Sequence, residues 1–285
     1  MSDLDPRRAR LAASLKRLRR TAALSQADMA RRTGWVQPKV SRLETGAQLP
    51  TEDDIRTWAA HTYAPAEQIE ALLDMLSAAH VEYTPTADLL KRGALARRQA
   101  HIGAMEAAAG RIGEYQPAFI PGLLQVPAYS RALLNLPGSA RSKGASDAEL
   151  DQIVAARARR QELLREPGRR WQFVIGEPAL WSAPGGLEVQ EAQLDHLVVI
   201  RELPAVELGV VPLRAPIPVM PLSGFRVLDE EFVFVESLAG EQRMEGSEIT
   251  PILRAFETVR HAAVTGAEVV AIIERVRAKL HGKDS

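Results

Sequence analysis

No cysteine occurs in the 285 residues, which excludes disulfides, thiolate zinc sites and cysteine nucleophiles. The amino-terminal stretch is polar and basic, without an apolar signal segment, and no hydrophobic run approaches the length of a membrane span. A soluble cytoplasmic chain without membrane contact is therefore expected. Net charge is also absent, since 36 basic side chains face 36 acidic ones. The six histidines form no HExxH pattern and no paired metal spacing. Gly185-Gly186 lacks the strand–turn–helix setting of a phosphate loop. No catalytic residues, metal site or cofactor are predicted, and no internal repeat or low-complexity tract appears.

What is present is unevenly spread. Residues 1–50 carry eleven Arg and Lys against four acids, so the rest of the chain is acidic by seven. A basic head on an acidic body suits contact with phosphates at one end. Within that head, LSQADMARRTGWVQPKVSRLETG (24–46) reads as two helices around a tight turn. Ser25 can cap the first helix, Gly34 permits the positive φ of the turn, and Gly46 closes the second helix. Met29, Ala30, Trp35, Val40 and Leu43 are spaced to pack the pair together. Gln37, Pro38, Ser41 and Arg42 then remain outward, with Lys39 toward the edge. This is a helix-turn-helix presenting a recognition helix. Before it, Leu11, Leu15, Leu18 and Ala22 form a helical stripe over 6–22. After it, helices are expected from Thr51 and over 66–80, giving a five-helix domain at 1–80.

The stretch resembles the Xre-type helix-turn-helix shared with phage repressors, on Arg19, Leu24-Ser25-Gln26, Ala30, Gly34, Val40-Ser41-Arg42-Leu43-Glu44 and Gly46. That resemblance implies a phosphate contact from Gln26, base-edge contacts from Gln37, Pro38 and Arg42, and a structural ion pair between Arg19 and Glu44. Two positions depart from it. Val36 stands where a capping Ser or Thr is usual, and Pro38 replaces a residue that often contacts DNA. Arg42 is expected to read guanine and Gln37 an adenine or a neighbouring base. Gln26, Lys39 and Ser41 would hold phosphates, and Arg17 and Arg20 would add long-range attraction. Because one such helix reads few base pairs, a homodimer on a palindrome of double-stranded DNA is expected.

Residues 81–87 read as a linker and 88–285 as an α+β domain with a small antiparallel sheet and surrounding helices. A helix is expected over 88–114, where Lys91, Arg92, Arg97 and Arg98 would form a solvated face. Pro117, Pro121 and Pro127 forbid one helix through 115–134, while Ile120, Leu123 and Leu124 demand burial. A polar loop at 137–146 leads to a helix from Asp147 to about residue 165. Strands are expected at 171–175, 206–211, 224–228 and 232–235, the last two as a hairpin over Asp229-Glu230-Glu231. Helices are expected over 188–201, 249–264 and 267–281. Glu177 and Glu236, near predicted strand ends, are candidates for a carboxylate pair, with structural pairing to Arg157, Arg160 or Arg170 as the favoured expectation. Phe119, Gln125, Tyr129, Arg160, Trp171, Trp181 and Phe225 are candidates to line a ligand pocket, with ordinary core as the competing assignment.

This half resembles the domain of unknown function that follows the helix-turn-helix in many bacterial antitoxin-like regulators of WhiJ type. The matching pieces include Ile120-Pro121-Gly122-Leu123-Leu124-Gln125, Arg160-Gln161, Glu177 with Leu180, Val211-Pro212, Gly224-Phe225 and Val235-Glu236. The resemblance implies a transcriptional regulator with a small protein partner, and a small-molecule effector stays open beside it. Two other classes also remain: an antitoxin-like binding module with autoregulatory DNA contact, and an enzyme domain fused to a DNA-binding head.

Overall fold

The computed structural model describes residues 5–85, 94–137, 139, 144–216, 223–237 and 240–282, with backbone alone at 6, 82–85 and 94–99. The chain divides into two compact units, Met1–Glu82 and Tyr83–Ser285. No described helix is long and apolar enough to cross a membrane.

Among the described residues, the first unit holds five helices: α1 (Pro6–Thr21), α2 (Gln26–Thr33), α3 (Gln37–Thr45), α4 (Glu52–Thr62) and α5 (Ala66–Ala79). Their starts follow from local chemistry. Asp5 accepts from the Arg7 amide at 2.7 Å, and Ser25 and Thr51 each form a reciprocal capping box with an aspartate three residues on. Leu11 and Leu15 from α1 meet Met29, Ala30, Val40, Leu43, Ile55, Trp58, Leu72 and Leu76 in one core. Trp58 is fully buried and gives its indole N–H to the Leu15 carbonyl at 3.1 Å, so its polar atom is satisfied.

The second unit is built on a sheet. After α6 (Ala94–Ala108) come β2 (Arg111–Gln116), α7 (Pro127–Asn135), α8 (Asp147–Arg160), β3 (Arg170–Gly176) and the short α9 (Pro178–Trp181). Then follow α10 (Leu187–Ile200), β4 (Val206–Val211), β5 (Phe225–Leu228), β6 (Phe232–Glu236), β7 (Gly240–Glu245), α11 (Thr250–Ala262) and α12 (Ala267–Leu280). Sheet order is β7-β6-β5-β2-β3-β4, with β1 (Val81–Pro85) at the edge beyond β7. The helical head and α+β second domain are as expected. The sheet, however, is mixed rather than antiparallel. β2, β3 and β4 run parallel, and β5, β6 and β7 continue it antiparallel from β2. Two connections that carry helices, 117–169 and 177–205, allow the parallel pairings, because parallel neighbours need long crossovers.

Several expectations change in detail. The helix expected over 88–114 ends at Ala108, and Arg111–Gln116 is the strand β2. Lys91 and Arg92, the side chains of Arg97 and Arg98, and 138 and 140–143 of the polar loop lie outside the described residues. The linker expected at 81–87 overlaps β1. Ser146 rather than Asp147 caps α8, and a 3-10 turn replaces its last residues from Gln161 to Arg165. The hairpin is present over Asp229-Glu230-Glu231: Asp229 (φ 50°) and Glu230 (φ 60°) both take the left-handed conformation, and the Glu231 amide closes the turn on the Leu228 carbonyl at 2.9 Å. Asp229 also accepts from the Gly110 and Arg111 amides at 3.0 and 2.8 Å, fixing the start of β2.

The main core lies on one sheet face, where Ile112, Trp171, Phe173, Ile175, Leu208 and Val210 meet α10, α12 and the Ile120–Leu124 segment. The opposite face holds Tyr115, Val174, Phe256 and Val259. Gly113 lets the Phe256 ring approach β2 closely, since a Cβ there would sit 2.6 Å from it. Val269, Ile272, Ile273 and Val276 are buried and complete the fold.

Candidate nucleic-acid interface

The recognition geometry starts from the turn between α2 and α3. Gly34 takes φ 73°, and the Trp35 amide donates to the Ala30 carbonyl at 2.9 Å. Ala30 and Met29 of α2 then pack on Val40 and Leu43 of α3. With 40, 43 and 44 turned inward, the outer face of α3 consists of Gln37, Pro38 and Arg42, all exposed, and the partly exposed Ser41.

An ion pair fixes this face. Arg19 grips Glu44 with two donors, Nε to Oε1 at 2.5 Å and Nη2 to Oε2 at 2.9 Å, and its Nη1 donates to the Leu24 carbonyl at 2.5 Å. Gln26 adds a third donor to Glu44, at 2.8 Å. Burial pushes the Glu44 carboxyl up, but the hydrogen bonds from Arg19 and Gln26 outweigh it and hold the group below its usual range. One buried carboxylate thus ties α1, α2 and α3 together. Removing either charge leaves the other buried and uncompensated, at a cost of about 3–5 kcal/mol.

The remaining candidates divide by what holds them. Arg17 and Arg20 are exposed on α1. Arg42 is exposed, and its Nε rests on Gln48 Oε1 at 3.0 Å. Gln26 is partly exposed while bonded to Glu44. Lys39 is drawn inward: its ammonium bonds Asp54 at 2.6 Å and lies 4.2 Å from the centre of the Trp35 ring. The sequence reading missed Gln48 and Asp54. Both lie beyond Gly46, and no local spacing signals a side-chain contact across that turn. Val36 makes no capping hydrogen bond, and Pro38 sits in the first turn of α3, where a missing N–H is tolerated.

The seven pocket candidates do not converge on one cavity. Tyr129 and Trp171 are fully buried in the main core, and burial pushes the Tyr129 phenol up to about 12. Gln125 is buried and bonded to Ile120 O and Arg157 at 2.7 and 2.9 Å. Trp181 packs against the core with its N–H 3.4 Å from Glu177. Phe119 is exposed. Phe225 lies on the opposite sheet face beside Tyr115 and Phe256. Arg160 lies 3.4 Å from Glu106. Glu177 pairs instead with Arg275 at 2.7 Å and accepts from the Leu213 amide at 2.8 Å, so none of its expected partners holds it.

Absent from the sequence reading is a buried charge cluster between α6 and the sheet. Arg226 of β5 donates to Glu106 at 2.9 Å and to Glu114 at 3.0 Å. Burial pushes Glu106 above its usual range despite Arg226 and Arg160 nearby.

Residues 10–79 match the family described as a helix-turn-helix domain, the architecture of DNA-binding regulators. A search of curated proteins finds no match to this sequence. Residues 99–275 match the family described as a domain of unknown function, DUF5753. That match spans most of the chain and includes β2 to β7, so the protein belongs to the DUF5753 family and carries a helix-turn-helix head.

Proposed function

We propose that this protein is a sequence-specific transcriptional regulator that binds a palindromic operator as a homodimer. The observation that carries the reading is the outward face Gln37, Pro38, Ser41 and Arg42 on a helix clamped from behind by Arg19 and Glu44. A short rigid rod with an exposed polar face fits the major groove, and its first residues reach base edges. Arg42 reads guanine, Gln37 an adjacent base, and Arg17, Arg20 and Gln26 hold phosphates. Lys39, engaged by Asp54, contributes charge near the backbone more than a free hand. Half-sites lie about one helical turn apart, and the protein works in the cytoplasm.

The second domain modulates this binding and performs no chemistry of its own. Its buried carboxylates Glu106, Glu114 and Glu177 are engaged by arginines. A groove of about 540 Å³ between α6 and α8, lined by Gly103, Ala107, Ile153, Ala156 and Leu163, is large enough for a small effector. The test is a titration of Arg42→Ala against the selected operator and scrambled DNA. A loss of about 1–3 kcal/mol at a single base position supports the assignment. Unchanged discrimination refutes it.

A further inference from the structure

The start of α3 breaks a local rule that its neighbours keep. α2 and α4 begin with a hydroxyl that accepts a backbone amide, whereas α3 begins with Val36, which offers no such bond. A capping hydroxyl at this position would stabilise the start of the helix. Nor is the valine repaid by burial, because 66% of it is exposed. The Val36 carbonyl still accepts from the Lys39 amide at 2.9 Å, so the backbone is placed while the side chain is left in water. Pro38, also exposed, stands two residues on. The leading tip of the recognition helix is thus a glutamine between two apolar side chains.

A position that sacrifices stability without a compensating contact inside the protein points to a contact outside it. In the major groove the apolar feature available to such a side chain is the C5 methyl of thymine. We propose that Val36 is a specificity-determining residue that packs on a thymine methyl beside the base read by Gln37. The proposal rests on the DNA-binding reading and extends it to a position that makes no hydrogen bond to a base. Specificity at that base pair then comes from methyl burial, and the protein separates thymine from uracil there.

The test uses the full chain. Operators are selected from random duplex DNA, and each thymine of the half-site is replaced in turn by uracil, which removes one methyl and keeps every hydrogen-bonding group. The expected result is one position at which uracil weakens binding about fourfold, the worth of one buried methyl. At that position Val36→Ser binds both bases equally, and because it restores a capping hydroxyl it does not fail for want of α3. Arg42→Ala keeps the uracil sensitivity, since it reads a different base pair. Indifference to uracil at every position, or a loss that persists in Val36→Ser, overturns the role of Val36 and leaves the DNA reading standing. Selection that enriches no sequence overturns the DNA reading itself, and this inference with it.

Discussion

Each unit buries a carboxylate beside an arginine, and the two behave in opposite ways. Glu44 in the head is held below the usual carboxylate range, while Glu106 in the second domain is pushed above it. Burial raises both. Glu44 overcomes it with a two-pronged guanidinium and the Gln26 amide, three donors within 2.9 Å. Glu106 is sealed completely and receives one such bond, from Arg226 at 2.9 Å. Its other oxygen sees Arg160 only at 3.4 Å, and Glu114 adds a like charge nearby. Donor number and geometry, rather than the mere presence of a counter-ion, decide the sign. The consequences differ too. Glu44 anchors a helix whose far side is exposed, whereas Glu106 holds α6 against β5 and presents nothing outward.

The strongest way to break this comparison is to remove the arginines. Arg226→Met leaves buried Glu114 without its arginine and buried Glu106 with only the longer Arg160 contact at 3.4 Å, and Arg19→Met removes the arginine from buried Glu44. Each is expected to cost about 3–5 kcal/mol, read as a shift in the urea midpoint of its own unit. Only Arg19→Met should also abolish operator binding at temperatures where the second unit stays folded. Operator binding lost equally in both variants would show that the second cluster also supports the DNA-binding face. A smaller change separates clamp from reader: Gln37→Ala should leave the melting of the head unaltered while costing about 1–3 kcal/mol of discrimination at one base pair. Smaller again is Val36→Ser, which should stabilise the head by about 1 kcal/mol in chemical denaturation.

The gentlest probe is pH, where the two carboxylates should pull in opposite directions. The folded value of Glu44 is lowered, so its contribution is present above the ordinary value of 4.5 and is lost as pH falls through the folded value. That of Glu106 is raised, so its contribution is complete below 4.5 and is lost as pH rises through the folded value. Hydrogen exchange, corrected for intrinsic rates, should show Glu44→Gln flattening the acid loss in the head. Glu106→Gln should flatten a loss of protection in the second unit as pH rises above 4.5. The same sign in both variants would sink the distinction.

Much of the head was legible because its signals are local. A serine cap, a glycine at positive φ and an apolar spacing of three and four act within one or two turns, so a short window contains them. The hairpin at Asp229-Glu230 was legible for the same reason. β2 was not. Arg111–Gln116 contains a glycine and a glutamate that disfavour strands, and it forms one because β3 and β5 pair with it on both sides. The scattered pocket candidates failed on similar grounds. Aromatic type says that a side chain seeks cover, but the sheet face decides whether Phe225 meets Trp171 or Phe256.

By itself, then, the sequence determined the helix-turn-helix and its outward residues, because short-range backbone chemistry and helical period dictate them. The partnership of Arg19 with Glu44, 25 residues apart, was implied by the family resemblance and not by any local pattern. Only the tertiary structure decided the parallel centre of the sheet, the Arg226 cluster, the hold of Asp54 on Lys39 and the exposure of Val36. Each of those depends on groups far apart in sequence, brought together by burial, and no local pattern encodes which distant partner arrives.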